Sequence, residues 1–188
     1  MSDLLERLND YIIHLPIKLQ NHLNRTAKLG RELAQFHGVN EEKVLISCVA
    51  HDIAKKLHVN EILKVSKQNN LKISFEEESS PILMHGPLAS YWLENQFLCK
   101  DREILNSVFF HTTGRPNMSE VEKIVFLADK VEPHKVAKNP ELVEILNTCS
   151  SDIDLAILKY LDMKILQLLN QDQIIHPLAI EARNYYMK

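Results

Sequence analysis

Apolar residues recur at three- and four-residue intervals along nearly the whole chain, and no segment carries four or more clean apolar/polar alternations of the kind a half-buried strand needs. That pattern restricts the chain to an all-α fold, a compact helical bundle of about eight to ten helices. At 188 residues such a bundle buries roughly 70% of the surface of its unfolded chain, enough for one large core. Four glycines and seven prolines are too few for a linker-dominated chain, and 45% hydrophobic with 25% charged residues excludes a disordered one. Residues 1–188 read as a single domain.

Caps and breakers place the elements. A first long helix opens near Pro16, runs through Leu19, Leu23, Ala27, Leu33 and Phe36, and stops at Gly38. Asn40 caps the next, whose stripe of Val44, Leu45, Cys48 and Val49 leads into His51 and Asp52. Asn60 is expected to cap a third helix ending at Asn69 and Asn70, and 71–80 reads as a polar connector. Ser80 and Pro81 start a helix that Gly86 and Pro87 break or restart, leaving His85 beside the new N-terminus of a helix through Leu98. Asp101 caps a helix toward His111, and Thr112 to Met118 is a loop. Ser119 and Glu122 form a capping box before a helix reaching Asp129, with Glu132, Pro133 and His134 marking its end. Asn139 and Pro140, then Ser151 or Asp152, then Pro177 begin the last three.

Several classes of function drop out at this stage. The longest apolar stretch, Val44 to Ala50, is interrupted by Ser47, far short of the roughly 20 residues of a membrane span. Met1 to Asn9 alternates charge with leucine, unlike a secretory signal. Cys48, Cys99 and Cys149 leave one thiol over in any disulfide scheme, so reduced core thiols and a cytoplasmic location are expected. A net charge of −3 argues against a protein that wraps nucleic acid, since phosphate neutralisation needs a basic face. A small phosphorylated ligand fits better, and the chain has room for a homodimer.

The informative residues are polar ones on faces assigned to the interior. His22 shares a face with Leu19, Leu29 and Leu33; His51 and Asp52 follow Cys48 by three and four; His111 follows Val108 by three; Asp129 follows Val125 by four. Each by itself is an ordinary core histidine or helix-end carboxylate. Together they are the donors that divalent iron, manganese or cobalt accepts, and a cation offsets the burial of Asp52 and Asp129. Of the nine histidines, His14, His37, His58 and His134 sit near helix ends or in charged surroundings, where solvated imidazole is ordinary. Tyr91 and Trp92 read as core and rim.

His22, His51-Asp52 and Asp129 match the pattern of the HD-domain metal-dependent phosphohydrolases. More narrowly, His51-Asp52-Ile53-Ala54-Lys55, His85-Gly86-Pro87, His111-Thr112-Thr113-Gly114-Arg115 and Phe126-Leu127-Ala128-Asp129 resemble the YqeK-type symmetrical diadenosine tetraphosphate hydrolases. The likeness runs on through Glu132-Pro133 to His176-Pro177 and Glu181-Ala182-Arg183-Asn184.

The resemblance implies that His22, His51, Asp52 and Asp129 hold iron and that diadenosine tetraphosphate is cut into two ADP. It also implies that the helices of 151–188 complete the nucleotide pocket, with Gln173, His176 and Pro177 at the nucleoside. His85 and His111 are expected on the phosphate as donors or proton carriers, or as ligands of a second ion with Asp52 as the bridge. Lys55, Thr112, Arg115 and Lys135 complete the expected phosphate contacts, Arg115 through its two-pronged guanidinium. The family often carries arginine where this chain has Leu19, and arginine again where it has Lys135. The competing readings are a phosphohydrolase of another nucleotide, such as a deoxynucleoside triphosphate or a guanosine alarmone, and a nucleotide-sensing module without turnover.

Overall fold

The computed structural model describes residues 2–187. Among them are twelve α-helices and no strand. In chain order the helices are α1 (Ser2–Ile12), α2 (Ile17–His37), α3 (Glu41–Ala50), α4 (Val59–Gln68), α5 (Phe75–Ser79), α6 (His85–Asn95), α7 (Arg102–Phe110), α8 (Glu120–Lys130), α9 (Pro133–Lys138), α10 (Leu142–Ser151), α11 (Ile153–Asn170) and α12 (Pro177–Tyr186). Short 3-10 turns at Ile53–Lys56 and Pro81–Met84 follow α3 and precede α6.

Twelve exceeds the expected eight to ten, and three elements make the difference. The leucine-and-charge pattern read only as the absence of a signal peptide forms α1, whose Leu4, Leu8 and Ile12 are buried. The expected connector 71–80 contains α5, where the Ser74 hydroxyl accepts from the Glu77 N–H and the Glu77 carboxylate accepts from the Ser74 N–H. The Glu132-Pro133-His134 stop is also a start, because Glu132 caps α9 and proline fits a first turn. Asn60 lies inside α4, which begins after His58 with the Glu61 carboxylate accepting from the His58 N–H.

Packing brings α2, α3, α7 and α8 together around fully buried Leu23, Val44, Cys48, Ile104, Val108, Ile124 and Leu127. The Ser47 and Ser107 hydroxyls, 2.7 Å apart, tie α3 to α7 in that interior. α6 packs on α7, while α10, α11 and α12 pack in succession and reach the rest through α11 on α8 and α10 on α2. No helix among the described residues is long and apolar enough to cross a membrane.

Gly86 sets the spacing of α6 and α7. A Cβ there would lie 2.8 Å from the Phe109 carbonyl oxygen, 3.2 Å from that of Val108 and 3.3 Å from the His111 ring. Backbone oxygens cannot swing aside as a side-chain tip can, so a methyl group must push the helices apart. Gly86→Ala is expected to lower unfolding free energy in urea by about 1–3 kcal/mol, although alanine is the better helix former.

Candidate metal centre

Three histidines reach the centre by one local device. His51 follows the end of α3 and His111 the end of α7, while His85 follows the 3-10 turn Pro81–Met84 and is the first residue of α6. At the ends of α3 and α7 the last carbonyls lack an intrahelical partner. Each imidazole supplies one, turning Nδ1 back onto the carbonyl three residues earlier: His51 to Cys48 at 2.7 Å, His111 to Val108 at 2.7 Å, and His85 to Ile82. A carbonyl only accepts, so Nδ1 carries a proton and Nε2 points inward, with a lone pair there whenever the ring is neutral.

The inward atoms form two groups that share Asp52. His22, His51, Asp52 and Asp129 each offer one atom, all within 4.8 Å of one another, and Asp52, His85 and His111 do the same. In the first group the Nε2 atoms of His22 and His51 are 3.2 Å apart, with Asp129 Oδ1 at 3.1 Å from His22 and 3.5 Å from His51. Asp52 Oδ2 lies 3.5 Å from His22 and 3.4 Å from His51. In the second group the Nε2 atoms of His85 and His111 are 2.9 Å apart, and Asp52 Oδ1 is 3.2 and 3.4 Å from them.

The donor set fits a divalent cation. Asp52 Oδ1 is buried and makes no hydrogen bond with acceptable geometry, even with two imidazole nitrogens so near. Three lone-pair-bearing atoms crowded in the interior repel one another unless an electrophile lies between them. The helix C-termini that deliver the histidines add partial negative charge in the same direction. Imidazole nitrogen with carboxylate oxygen is the chemistry that first-row divalent ions accept.

Protonation follows from the same geometry. Burial favours neutral carboxyls, yet the imidazoles around Asp52, His51 foremost, and the ammonium groups of Lys130 and Lys135 beside Asp129 hold both acids well below their ordinary range. Burial works to lower His51 too, but Asp52 and Asp129 overcome it and lift the imidazole to about 9, which shows how strongly this pocket favours positive charge. Burial prevails at the second group, pushing His111 down to about 3 and lowering His85.

The surrounding residues divide. Lys55 Nζ donates to Asp52 Oδ2 at 2.9 Å. The Thr112 hydroxyl lies 3.2 Å from Nε2 of both His85 and His111. Thr112 also lines a cavity of about 580 Å³ with Ile82, Tyr160, Lys164, Gln173 and His176, so one side chain lies between the second group and a space of ligand size. His176 caps α12 through Nδ1, and Pro177 is its first residue rather than part of the cavity wall.

Two expected phosphate ligands have other partners. Arg115 grips the buried Glu122 carboxylate with Nε at 2.9 Å and a terminal nitrogen at 2.7 Å, and its other terminal nitrogen reaches the Pro116 carbonyl. Lys135 donates to Asp129 Oδ1 at 2.7 Å and to the Asp129 carbonyl at 2.6 Å. A cation near His22 comes six residues after the altered Leu19 position: Arg25 donates to Glu132 at 2.6 Å, and Glu132 Oε1 is 3.5 Å from His22 Nδ1. Reading the sequence did not select Tyr160, Arg25, Lys130 or Lys164. Arg25 alone carried a signal, lying three residues after His22 on α2.

Two outcomes are expected. Excess Mn²⁺ or Fe²⁺ at a hundred times its Kd should stabilise the chain by about 2.7 kcal/mol, raising the melting temperature by roughly 5–10 °C, and Asp52→Ala should abolish the rise in a thermal scan. Arg115→Lys, which keeps charge but loses the fork, should lower unfolding free energy by about 1–2 kcal/mol while leaving KM for nucleotide substrates unchanged.

Comparison with known proteins follows this geometry. The HD domain family model matches residues 19–134, more than half of the chain, a span containing His22, His51, Asp52, His85, His111 and Asp129. A symmetrical bis(5'-nucleosyl)-tetraphosphatase of Halalkalibacterium halodurans is 31% identical over 91% of this chain and 90% of its own. A protein of the same name from Staphylococcus aureus is 28% identical over 92% and 88%. A crystal structure described as a predicted HD superfamily hydrolase involved in NAD metabolism, from Clostridium acetobutylicum, superimposes with a TM-score of 0.91 at 30% identity, covering 97% of this chain and 96% of that one. The chain belongs to the HD domain family.

Proposed function

We propose that this protein is a hydrolase that splits diadenosine tetraphosphate with water into two ADP. The observation that carries the reading is the pair of histidine and aspartate groups sharing Asp52 at the edge of a cavity of about 580 Å³. Phosphoanhydride hydrolysis needs a positioned water and neutralisation of charge on phosphate oxygens. A divalent cation on His22, His51, Asp52 and Asp129, iron by family resemblance and manganese or cobalt by the same donor chemistry, supplies Lewis acidity and an acidified water.

The chain's own groups do the rest. Asp52 presents Oδ2 to one group and Oδ1 to the other, so it couples them and can orient water lying between by accepting its hydrogen bond. Neutral His85 and His111, with Nδ1 committed to carbonyls, offer lone pairs at Nε2. A lone pair repels a phosphate oxygen, so these rings suit a second cation or a proton from the attacking water, not the donor role toward phosphate. The Thr112 hydroxyl and the Lys55 ammonium are the donors that face the reacting phosphates. Gln173 and His176 offer polar groups to the nucleoside while Ile82, Leu83 and Ile174 give the base an apolar wall. Three buried, unpaired cysteines support a reducing compartment, the cytoplasm.

Product analysis tests the reading. Metal-loaded protein should convert diadenosine tetraphosphate to two ADP, and Asp52→Ala and His111→Ala should each lower kcat by about 10²-fold or more. Release of AMP with ATP, or turnover confined to deoxynucleoside triphosphates or guanosine polyphosphates, overturns it.

A further inference from the structure

A second cavity, about 310 Å³, lies on the other side of Tyr160 from the first. Its wall carries four lysines, Lys130, Lys135, Lys138 and Lys164, together with Asn139, and no carboxylate. Tyr160 and Lys164 border both cavities. In a chain of net charge −3, such a concentration of ammonium groups is a local departure that favours a polyanion.

The lysines connect this cavity to the metal centre. Lys130 donates to Asp129 Oδ2 and Lys135 to Asp129 Oδ1, both at 2.7 Å. Lys138 is exposed and has no hydrogen-bonding or ionic partner among the described residues. Lys164 donates only to the neutral Gln167 side chain, at 3.0 Å. Its pKa is lowered by burial and by Lys130, the expected mark of ammonium groups crowded without a counter-anion. Two of the four lysines are thus left over after the internal ion pairs are formed.

Symmetric cleavage poses a steric problem that this arrangement answers. A substrate with a nucleoside at each end of its phosphate chain must pass through the metal centre, so one half fills the first cavity and the other must leave elsewhere. We propose that the lysine-lined cavity seats the departing nucleoside diphosphate half, with Lys138 and Lys164 on its phosphates and Asn139 beside its sugar. This rests on the diadenosine tetraphosphate reading. It makes the two lysines specificity-determining: both reward a substrate with two halves, and Lys138, which borders the second cavity alone, adds little to binding of a single ADP in the first.

The test uses the metal-loaded full chain and its Lys138→Gln, Lys164→Gln and double variants, all at positions where glutamine leaves the core intact. In the double variant KM for diadenosine tetraphosphate should rise about 10-fold or more, the size of a lost charge-assisted contact, with kcat changed by less than about threefold. Calorimetric titration should find two ADP per wild-type chain and one per double variant, and in Lys138→Gln, whose side chain borders the second cavity alone, the ADP of the first cavity should keep its wild-type affinity. A KM within about twofold of wild type, or two ADP still bound by the double variant, overturns the proposal. Should wild-type protein leave diadenosine tetraphosphate intact, the substrate reading falls, and the ADP stoichiometry decides the lysine cavity by itself.

Discussion

The hydrogen bond from an imidazole Nδ1 to a carbonyl three residues earlier, made by His51, His85 and His111, underlies the rest of this structure. It satisfies carbonyls that a helix end leaves unpaired, and the same bond fixes the tautomer. Nε2 then faces the interior, with a lone pair there whenever the ring is neutral. Because each bond is local, each ring's orientation is set within its own turn, and packing brings the rings together. Ser47 with Ser107, and the close approach allowed by Gly86, do that for α3, α6 and α7.

Once assembled, the centre is a volume where electron pairs and negative dipole ends outnumber the protein's own positive charge. Asp52 and Asp129 stay ionised although buried, because imidazoles surround one and lysines the other. A buried pair of carboxylates with this support costs less than an isolated one, and a cation turns the remaining cost into binding energy. Outside the centre the sign reverses. Lys55 and Lys135 donate to the same Asp52 Oδ2 and Asp129 Oδ1 that face His22 and His51, Lys130 donates to Asp129 Oδ2, and Lys138 and Lys164 extend positive charge beyond them. Cation inside and polyanion outside is the order of charge that phosphoanhydride cleavage requires.

Much of this was legible beforehand, for identifiable reasons. Caps such as Asn40, Asp101 and Ser119 act within three residues, and all three accept from the N–H groups the pattern assigned to them. The inward-facing set of His22, His51, Asp52, His111 and Asp129 stood out because charge on an apolar stripe breaks the helical period. What stayed hidden involves partners distant in sequence or elements too short to show a period. α5 spans five residues and α9 six, less than two turns each. Arg115 looks available in a glycine-containing loop, and only the fold reveals Glu122 within its fork. Lys130, Lys138 and Lys164 carry no signal in the sequence, and only the packing of α11 on α8 brings them to one cavity.

Local hydrogen bonding and the three- to four-residue apolar period determined from sequence that the chain is helical, where most helices begin, and which imidazoles and carboxylates face inward. Those properties depend on neighbours within one or two turns, so they are written in order along the chain. The tertiary structure alone decided that Asp52 faces two donor groups at once, that Arg115 and Lys135 are bound to Glu122 and Asp129, and that two cavities flank Tyr160. Each of these depends on distances between helices, which arise from side-chain interlocking across the core and have no counterpart in local spacing.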